Sequence, residues 1–192
     1  MLNMFSGVVV LFCASLSLGT PTLAAAPEDF TVTNSSVVTA HVKIVIAAPY
    51  TFVKSRLEVE VRRFDDSYRK LLDEDKIDEL RQKLAQDYNP SGFMIHFVAA
   101  QGDWLALQGS RRHGNVYYVG NVLSASEMTQ VDFGAALYAP LRLNVYENAQ
   151  GGTTFEYDKP STQFGQFQSS AIDKVADSLD ERLLRLIKTV SK

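Results

Sequence analysis

Acidic side chains end two neighbouring apolar segments in the second half of the chain. Glu147 is the last residue of LRLNVYE, and Asp158 is the last residue of TTFEYD. If these segments form a hairpin, the two carboxyl groups are expected to approach each other across it. Carboxyl groups whose surroundings separate their pKa values can serve as general acid and general base. The pair therefore suggests a hydrolase or lyase, and the alternative is that both are solvated charges at strand ends.

Histidine and cysteine do not have the spacing of a metal site. His41, His96 and His113 lie far apart in the sequence, and the only cysteine is Cys13. Zinc sites usually show closely spaced Cys and His ligands. Ser124 lacks the flanking glycines of a Gly-x-Ser-x-Gly nucleophile turn. The sequence thus predicts no metal site and no cofactor, and it disfavours a serine hydrolase.

One basic cluster, Arg-Arg-His at residues 111–113, lies close to Tyr117 and Tyr118. Such a cluster can bind an anion or single-stranded nucleic acid, but it is also typical of a solvated loop. The whole chain has 19 basic and 22 acidic residues, which gives a formal charge of −3. Because proteins that bind nucleic acid generally carry a basic excess, we expect no nucleic-acid partner.

The elements that position these residues follow from the apolar spacing, which predicts one strand and two helices before residue 90. Residues 39–48 alternate as a strand does, with the apolar side chains largely on one face. From residue 51 to residue 72, apolar residues recur three or four positions apart, which predicts a helix of about five turns. The acidic triplet at residues 73–75 is typical of the first turn of another helix, near 74–87. A metal site is the less favoured interpretation of that triplet.

From residue 93 to residue 158 the pattern is that of β-strands. Alternation predicts strands at 93–99, 104–108, 115–121, 141–147 and 153–158. The first two are expected to form a hairpin around residues 101–103, whereas residues 124–128 are expected to form a helical turn and residues 132–139 an apolar connector. A continuous apolar stripe predicts a last helix near 170–189, with Ser170 as its N-cap. This order predicts an α+β domain, with a single antiparallel sheet and helices packed on one face.

The N-terminal segment has the features of a secretory signal peptide. Residues 1–26 contain no charged side chain, and residues 7–18 form an apolar run that is too short to span a bilayer. Small residues place the cleavage site after Ala25 or Ala26. We therefore expect an exported protein, secreted or periplasmic, with no stable membrane anchor.

The rest of the chain is expected to form one domain. Residues 27–37 are a polar lead-in that contains a glycosylation sequon at Asn34, which is either used or a chance tripeptide. Residues 38–192 are the predicted single domain, because no linker or repeat divides them. The whole chain is 46% apolar and 21% charged, as in ordinary globular proteins. The mature chain would contain no cysteine, so its stability must come from core burial.

Three segments together resemble a known family. They are FMIHFVAAQGDWLALQG at 93–109, the stretch from YVGN to VYE at 118–147, and YDKPS at 157–161. In order and spacing they resemble the domain-of-unknown-function family 302. This resemblance implies a TBP-like fold with element order β-α-β4-α, and it implies no activity. The chain departs from the family pattern at Val122, where relatives carry proline, and at Gln101, where they often carry histidine.

Aromatic side chains are more numerous in the β portion than one buried sheet face needs. They are Phe93, Phe97, Trp104, Tyr117, Tyr118, Phe133, Tyr138, Tyr146, Phe155 and Tyr157. Because Tyr and Trp combine an apolar ring with a polar tip, some of them are expected to line a cleft or a partner surface. The alternative is that all of them fill the layer between sheet and helices.

These observations favour a non-enzymatic binding module over an enzyme. We predict that it holds a small apolar or amphipathic ligand, or a second copy of itself in a homodimer, between the sheet and the connector 122–140. The predicted binding residues are Asn121, Met128, Tyr146, Glu147 and Tyr157. Asn121 and Glu147 would orient the ligand, and the others would supply apolar walls. The competing hypothesis is the hydrolase or lyase with the Glu147 and Asp158 pair, and a purely structural assembly protein is a third.

Overall fold

The computed structural model describes residues 30–88 and 90–192. The predicted signal peptide, residues 1–26, therefore lies outside the described residues. The chain divides into two units, Met1–Ser35 and Ser36–Lys192. All the helices and strands described below belong to the second unit. None of the helices in the described ranges has the length and apolar content needed to cross a membrane.

The described residues of the unit Ser36–Lys192 form five strands and seven α-helices. In chain order they are β1 (His41–Ile46), α1 (Tyr50–Glu60), α2 (Asp66–Asp73), α3 (Ile77–Asp87), β2 (Met94–Ala99), α4 (Gln101–Trp104), β3 (Gly114–Gly120), α5 (Val122–Val131), β4 (Leu141–Glu147), β5 (Thr153–Asp158), α6 (Pro160–Phe164) and α7 (Ser170–Val190). Short 3₁₀ turns follow α4 at Leu105–Gln108, α5 at Phe133–Tyr138 and α6 at Gly165–Phe167. The predicted α+β class is confirmed.

The strands form one antiparallel sheet in the order β1-β5-β4-β3-β2. Its register places Tyr117 of β3 opposite Leu143 of β4. Val145 of β4 lies opposite Phe155 of β5, and Phe155 lies opposite Ile44 of β1. Because side chains of a strand alternate between the two faces, these pairs identify the face that packs against the helices.

The main core lies between this face and the helices. Tyr117, Leu143, Val145 and Phe155 have no exposed surface. They belong to one apolar cluster with side chains of α1 and α7, among them Val53, Leu57, Ile172, Leu183 and Leu186. The buried side chains of α7 belong to the apolar stripe from which the helix was predicted to pack on the sheet. Burial of that stripe stabilises the contact between helix and sheet.

The opposite face of the sheet carries polar and aromatic side chains, and we call it the open face. Its side chains include His41, Lys43, Val116, Tyr118, Arg142, Asn144, Tyr146, Glu156 and Asp158. Each of these side chains is exposed or half-buried. The open face is therefore where the described part of the sheet can contact other molecules.

The single long helix predicted for residues 51–72 is wrong, because the chain leaves the helix after Glu60. Val61 has an extended backbone, with φ −110° and ψ 105°. The next residues pair with the outer edge of β2: Phe64 N–H donates to Ile95 O, and Ile95 N–H donates to Arg62 O, each at 2.9 Å. These long-range hydrogen bonds pair the backbone N–H and C=O of Ile95, which face outward from the edge strand β2. The apolar spacing continues through the break because Val61 and Phe64 still pack inward.

The acidic triplet at residues 73–75 does not begin a helix. Asp73 ends α2, and Asp75 lies in the left-handed region with φ 57°. Helix α3 starts only at Ile77, and its acidic first turn is formed by Asp78 and Glu79. The carboxylates that interact favourably with a helix dipole are therefore Asp78 and Glu79, a few residues after the predicted ones.

The predicted hairpin around residues 101–103 is also wrong. Residues 101–108 are helical, as α4 and a 3₁₀ turn, and β2 pairs directly with β3. The apolar side chains that suggested a strand at 104–108 point largely into solvent, since Trp104 and Leu107 are 66% and 77% exposed.

Two further predicted elements differ in extent. The helical turn expected at 124–128 is the ten-residue helix α5. Ser170 is the first residue of α7, so that Ser169 occupies the N-cap position, without a side-chain cap hydrogen bond.

Candidate functional site

Asn121, the first of the five predicted binding residues, is the N-cap of α5. Its Oδ1 accepts a hydrogen bond from Ser124 N–H at 2.8 Å, and its Nδ2 donates to Gly92 O at 2.7 Å. Both ends of the side-chain amide are therefore used to join the start of α5 to the segment before β2. This is the geometry of a structural cap.

Met128 lies in the core, with 2% of its surface exposed. It borders a small internal cavity together with Asn121, Phe93, Phe164 and Leu179. The volume of that cavity is about 20 Å³. This is room for about a single water molecule, so the cavity does not hold an organic ligand.

Tyr146 and Tyr157 project from opposite faces of the sheet. Val145 pairs with Phe155, so Tyr157 shares the helix-packed face with Phe155, and Tyr146 belongs to the open face. Burial raises the pKa of Tyr157, with a smaller contribution from the negative charge of Asp180. The hydroxyl of Tyr146 donates to Glu156 Oε1 at 3.0 Å. The five predicted residues therefore do not line one common pocket.

Glu147 and Asp158 lie at opposite ends of the β4–β5 pair. Glu147 is opposite Thr153, which is five residues before Asp158. At about 3.3 Å per residue this separates the two positions by roughly 17 Å, and alternation places their side chains on opposite faces. The predicted approach of these carboxyl groups across the hairpin is wrong, and they cannot act together as acid and base on one bond.

The larger concavity next to the connector is a cleft that we call the Pro140 cleft. Its lining residues are Tyr118, Leu137, Tyr138, Ala139, Pro140, Leu141, Arg142, Asp158 and Gln163, and its volume is about 440 Å³. It lies between the sheet and the connector 122–140, where the sequence predicted a binding site. The residues that form it are different from the predicted ones.

The apolar wall of the Pro140 cleft is held in place from the side of the core. The Tyr138 ring makes edge-to-face contacts with Phe164 and Phe167, at centroid distances of 6.0 and 6.1 Å. Its hydroxyl donates to Gln166 Oε1 at 3.2 Å. Because Tyr138 is anchored inward, its neighbour Leu137 is 80% exposed at the mouth of the cleft.

The polar wall is formed by an ion pair across β4 and β5. Arg142 Nη2 donates to Asp158 Oδ2 at 3.3 Å, and the two side chains are 62% and 39% exposed. His41 Nδ1 lies 3.6 Å from the other oxygen, Oδ1. A guanidinium group has five N–H donors, so most donors of Arg142 are available to a ligand.

Glu156, further along the open face, is committed to protein partners. Lys43 Nζ lies 3.1 Å from its Oε1, and the Tyr146 hydroxyl also donates to that carboxylate. The hydrogen bond from Lys43 is the main cause that lowers the pKa of Glu156, and the hydrogen bond from Tyr146 adds to it. The same contact raises the pKa of Lys43. Glu156 is thus a stable negative charge rather than a general acid at neutral pH.

The described residues contain no group of three or more His, Cys, Asp or Glu side chains arranged to hold a metal ion. His96 is half-buried, and its ring stacks on Phe64 at a centroid distance of 4.7 Å. Burial is the main cause that lowers the pKa of His96. It is therefore a packed, neutral side chain next to the β2 edge.

The residues that sequence reasoning missed are Leu137, Pro140 and Arg142. A signal for Arg142 was present, since the alternation in LRLNVYE places it on the solvated face. The local sequence does not predict that Leu137 lines the same cleft as Arg142. Its position depends on how the turn at residues 133–138 folds back toward β4.

Comparison with known proteins identifies the family but not an activity. A family model described as "Domain of unknown function DUF302" matches residues 68–190. The fold is similar to the crystal structure of an uncharacterized conserved protein DUF302 from Bacillus stearothermophilus, with a TM-score of 0.55 and 17% identity, over 78% of this chain and 96% of that chain. No curated protein matches this sequence. The resemblance found in the sequence is confirmed.

Proposed function

Since this chain belongs to the DUF302 family, whose description names no activity, we propose its function from the surface that the fold presents. It is a non-enzymatic binding module, and its ligand is a small amphipathic molecule that occupies the Pro140 cleft. The apolar part of the ligand contacts Leu137 and Pro140, and its polar head contacts Arg142.

The observation that carries this proposal is the exposure of Leu137 beside an ion pair in one cleft. Leu137 is 80% exposed, and it lines the same cleft of about 440 Å³ as Arg142 and Asp158. Small-molecule sites typically have volumes of about 300–1,000 Å³, with apolar walls and a few polar groups. Covering a fully exposed leucine side chain contributes about 1.5–3 kcal/mol, which favours an apolar tail over a purely polar ligand.

The polar wall favours a head group with acceptor oxygens. Arg142 uses Nη2 for Asp158, and its remaining N–H groups can donate in parallel to a carboxylate or sulfonate. The Arg142–Asp158 pair is exposed, and such pairs contribute little to stability. Its rearrangement on binding therefore costs little.

Octanoate and octylammonium, which share a tail and differ in head charge, test this proposal. Titration calorimetry with the full chain is expected to show at least about tenfold tighter binding of octanoate. Arg142→Gln is expected to abolish that preference, while Arg69→Gln is the matched control, because Arg69 is also exposed and paired with an aspartate, Asp73. Equal binding of both amphiphiles by the unmodified chain would contradict the proposal.

A second pair of variants tests the apolar wall. Leu137→Lys is expected to weaken octanoate binding by at least about tenfold. Leu107→Lys is the control, since Leu107 is 77% exposed but does not line the Pro140 cleft. If both variants weaken binding equally, the fatty acid binds exposed apolar surface in general, and the proposed site is wrong.

A second copy of the chain is the competing occupant of this cleft. Sedimentation velocity without ligand separates the two cases, and we expect a monomer for both the unmodified chain and Leu137→Lys. A dimer that Leu137→Lys dissociates would show that the cleft serves self-association, against the ligand proposal.

The enzyme hypothesis has no observation in its favour. The separation of Glu147 from Asp158 removes the residue pair on which the hydrolase or lyase rested. The proposed module therefore binds its ligand without changing it.

Export remains part of the proposal. The charge-free apolar leader supports it, and the unit Ser36–Lys192 begins beyond the proposed cleavage site. The test is the intact mass of the full-length gene product recovered outside the cytoplasm of a secreting host. A mass that corresponds to an N-terminus at Ala26 or Pro27 is expected, and an uncleaved cytoplasmic product would overturn it.

A further inference from the structure

A second cleft lies at the other end of β4. It is lined by Asp103, residues 111–113 and residues 147–149, and its volume is about 530 Å³. The charged side chains in this lining are Arg111, Arg112, Asp103 and Glu147, together with His113. Glu147 is five residues beyond Arg142, or about 17 Å along the strand, so this cleft is separate from the Pro140 cleft.

Opposite charges share this cleft without forming ion pairs. Elsewhere in residues 30–88 and 90–192 ion pairs are common, for example between Arg142 and Asp158 or Lys83 and Asp87. Within the same ranges no carboxylate oxygen lies within 4.0 Å of a guanidinium nitrogen of Arg111 or Arg112. The charges of this cleft are therefore available to a ligand.

Contacts with uncharged groups hold Arg112 in place. Its guanidinium carbon lies 5.8 Å from the centre of the Tyr146 ring. Its Nη2 also approaches the backbone oxygen of Glu147 at 3.4 Å. A cation–π contact and a carbonyl acceptor orient a guanidinium group but leave its positive charge uncompensated.

The backbone of the loop is fixed as well. A Cβ at Gly102 would lie only 1.9 Å from the backbone oxygen of Arg112, so α4 packs directly on the loop. The His113 ring stacks on Tyr50 at a centroid distance of 5.8 Å, and His113 O accepts from Glu147 N–H at 2.9 Å. The two arginines are thus presented on a packed support, which reduces the entropy that a ligand must overcome.

The mixed charges decide the class of ligand. Arg111 and Arg112 would attract a simple anion, but Asp103 and Glu147 would repel it. A simple cation would be attracted by the two carboxylates and repelled by the two arginines. A molecule that carries both charges satisfies both sets. The volume of about 530 Å³ is sufficient for a small organic molecule.

We propose that this cleft binds a small zwitterion of the class of free amino acids and dipeptides. The ligand carboxylate would pair with Arg111 and Arg112, and its ammonium group with Asp103 and Glu147. This site goes beyond the proposed amphiphile site and does not depend on it.

Three related dipeptides test the proposal on the unmodified full chain. They are alanylalanine, its N-acetyl derivative without the ammonium charge, and its C-terminal amide without the carboxylate. Calorimetric titration is expected to show binding of alanylalanine, and binding at least about tenfold weaker for each blocked derivative. No binding of alanylalanine at millimolar concentration, or N-acetyl binding as tight as that of alanylalanine, would overturn it.

Variants then assign the two halves of the site. Arg111→Gln together with Arg112→Gln is expected to abolish alanylalanine binding, with Arg56→Gln as control, because Arg56 is an exposed arginine on α1 that donates to Thr189 O. Glu147→Gln is expected to remove most of the difference between alanylalanine and its N-acetyl derivative. If that difference persists in a Glu147→Gln, Asp103→Asn double variant that melts as the unmodified chain does, the assignment of the ammonium site is wrong.

Discussion

Arg142 on β4 forms an ion pair with Asp158 on the neighbouring strand β5, with 3.3 Å between Nη2 and Oδ2. The pair forms the polar wall of the Pro140 cleft. This pair lies at the start of β4 and the end of β5, whereas Glu147 lies at the opposite end of the two strands. The strand register that creates this pair also separates the two carboxylates that the sequence suggested as a catalytic pair.

Removal of the Arg142–Asp158 contact is expected to change binding more than stability. Both side chains are more than one third exposed, and exposed ion pairs contribute about 0–1 kcal/mol. Asp158→Asn should therefore change the free energy of unfolding in urea by less than about 1 kcal/mol. Leu143→Ala is the comparison, because Leu143 is fully buried opposite Tyr117 and such truncations cost about 2–5 kcal/mol.

Asn121 is expected to act in stability rather than in binding. Asn121→Ala removes the cap of α5 and the hydrogen bond to Gly92 O, and the expected loss is about 1–3 kcal/mol of unfolding free energy. Asn121→Asp keeps the acceptor for Ser124 N–H but loses the donor, so its effect should be smaller. Urea denaturation measures both, and equal stability of all three chains would show that the cap has no energetic role.

The lowered pKa of Glu156 is expected to make the stability of the fold sensitive to acid. Its pKa is lowered in the folded chain, mainly by the hydrogen bond from Lys43. The contact therefore stabilises the fold above the unfolded-state pKa of about 4.3, and this contribution is lost as the pH falls through the lower folded-state pKa. Unfolding free energy measured from about pH 6 to pH 3 should fall less steeply in Glu156→Gln.

Tyr146→Phe is the complementary variant for this titration. It removes the second hydrogen bond to Glu156 but keeps Lys43. The pKa of Glu156, followed by carboxyl carbon NMR, should rise toward its ordinary value. An unchanged pKa in Tyr146→Phe would mean that the tyrosine does not contribute to the shift.

Gly102 is expected to be intolerant of any side chain. A Cβ there would lie 1.9 Å from Arg112 O and 2.9 Å from Gly114 N, and both are backbone atoms that cannot rotate away. Gly102→Ala should cost about 1–3 kcal/mol or more and should also weaken binding in the cleft of Arg112. Gly165→Ala is the control, because its surroundings are open and its φ of −57° suits alanine.

The sequence predicted best the elements whose pattern is local. The bounds of β4 and β5 agree with the predicted 141–147 and 153–158, because alternation within each segment is sufficient to define them. The break after Glu60 could not be predicted in this way, since it depends on hydrogen bonds with Ile95 more than thirty residues away.

The Pro140 cleft lies next to the connector 122–140, but none of the five predicted binding residues lines it. Whether Tyr146 and Tyr157 share a face depends on the register across the turn at residues 148–152, and a shift of one residue would reverse the answer. The sequence identified the aromatic side chains but could not fix that register. Leu137 was missed because its exposure results from the inward anchoring of Tyr138.

The stretch 62–64 pairs with the outer side of β2 through Ile95. This contact affects whether two molecules can join their sheets edge to edge. At Ile95, a strand from a neighbouring molecule cannot pair with β2, because the backbone groups of Ile95 already bond to Arg62 and Phe64. Among the described residues, β1 forms the other border of the sheet, and its outer side is not paired with a strand. Lys43 lies on β1, and lysine on an edge strand disfavours edge-to-edge pairing with a second molecule. The two borders of the sheet thus differ: a segment of the same chain covers β2 at Ile95, whereas β1 carries a lysine.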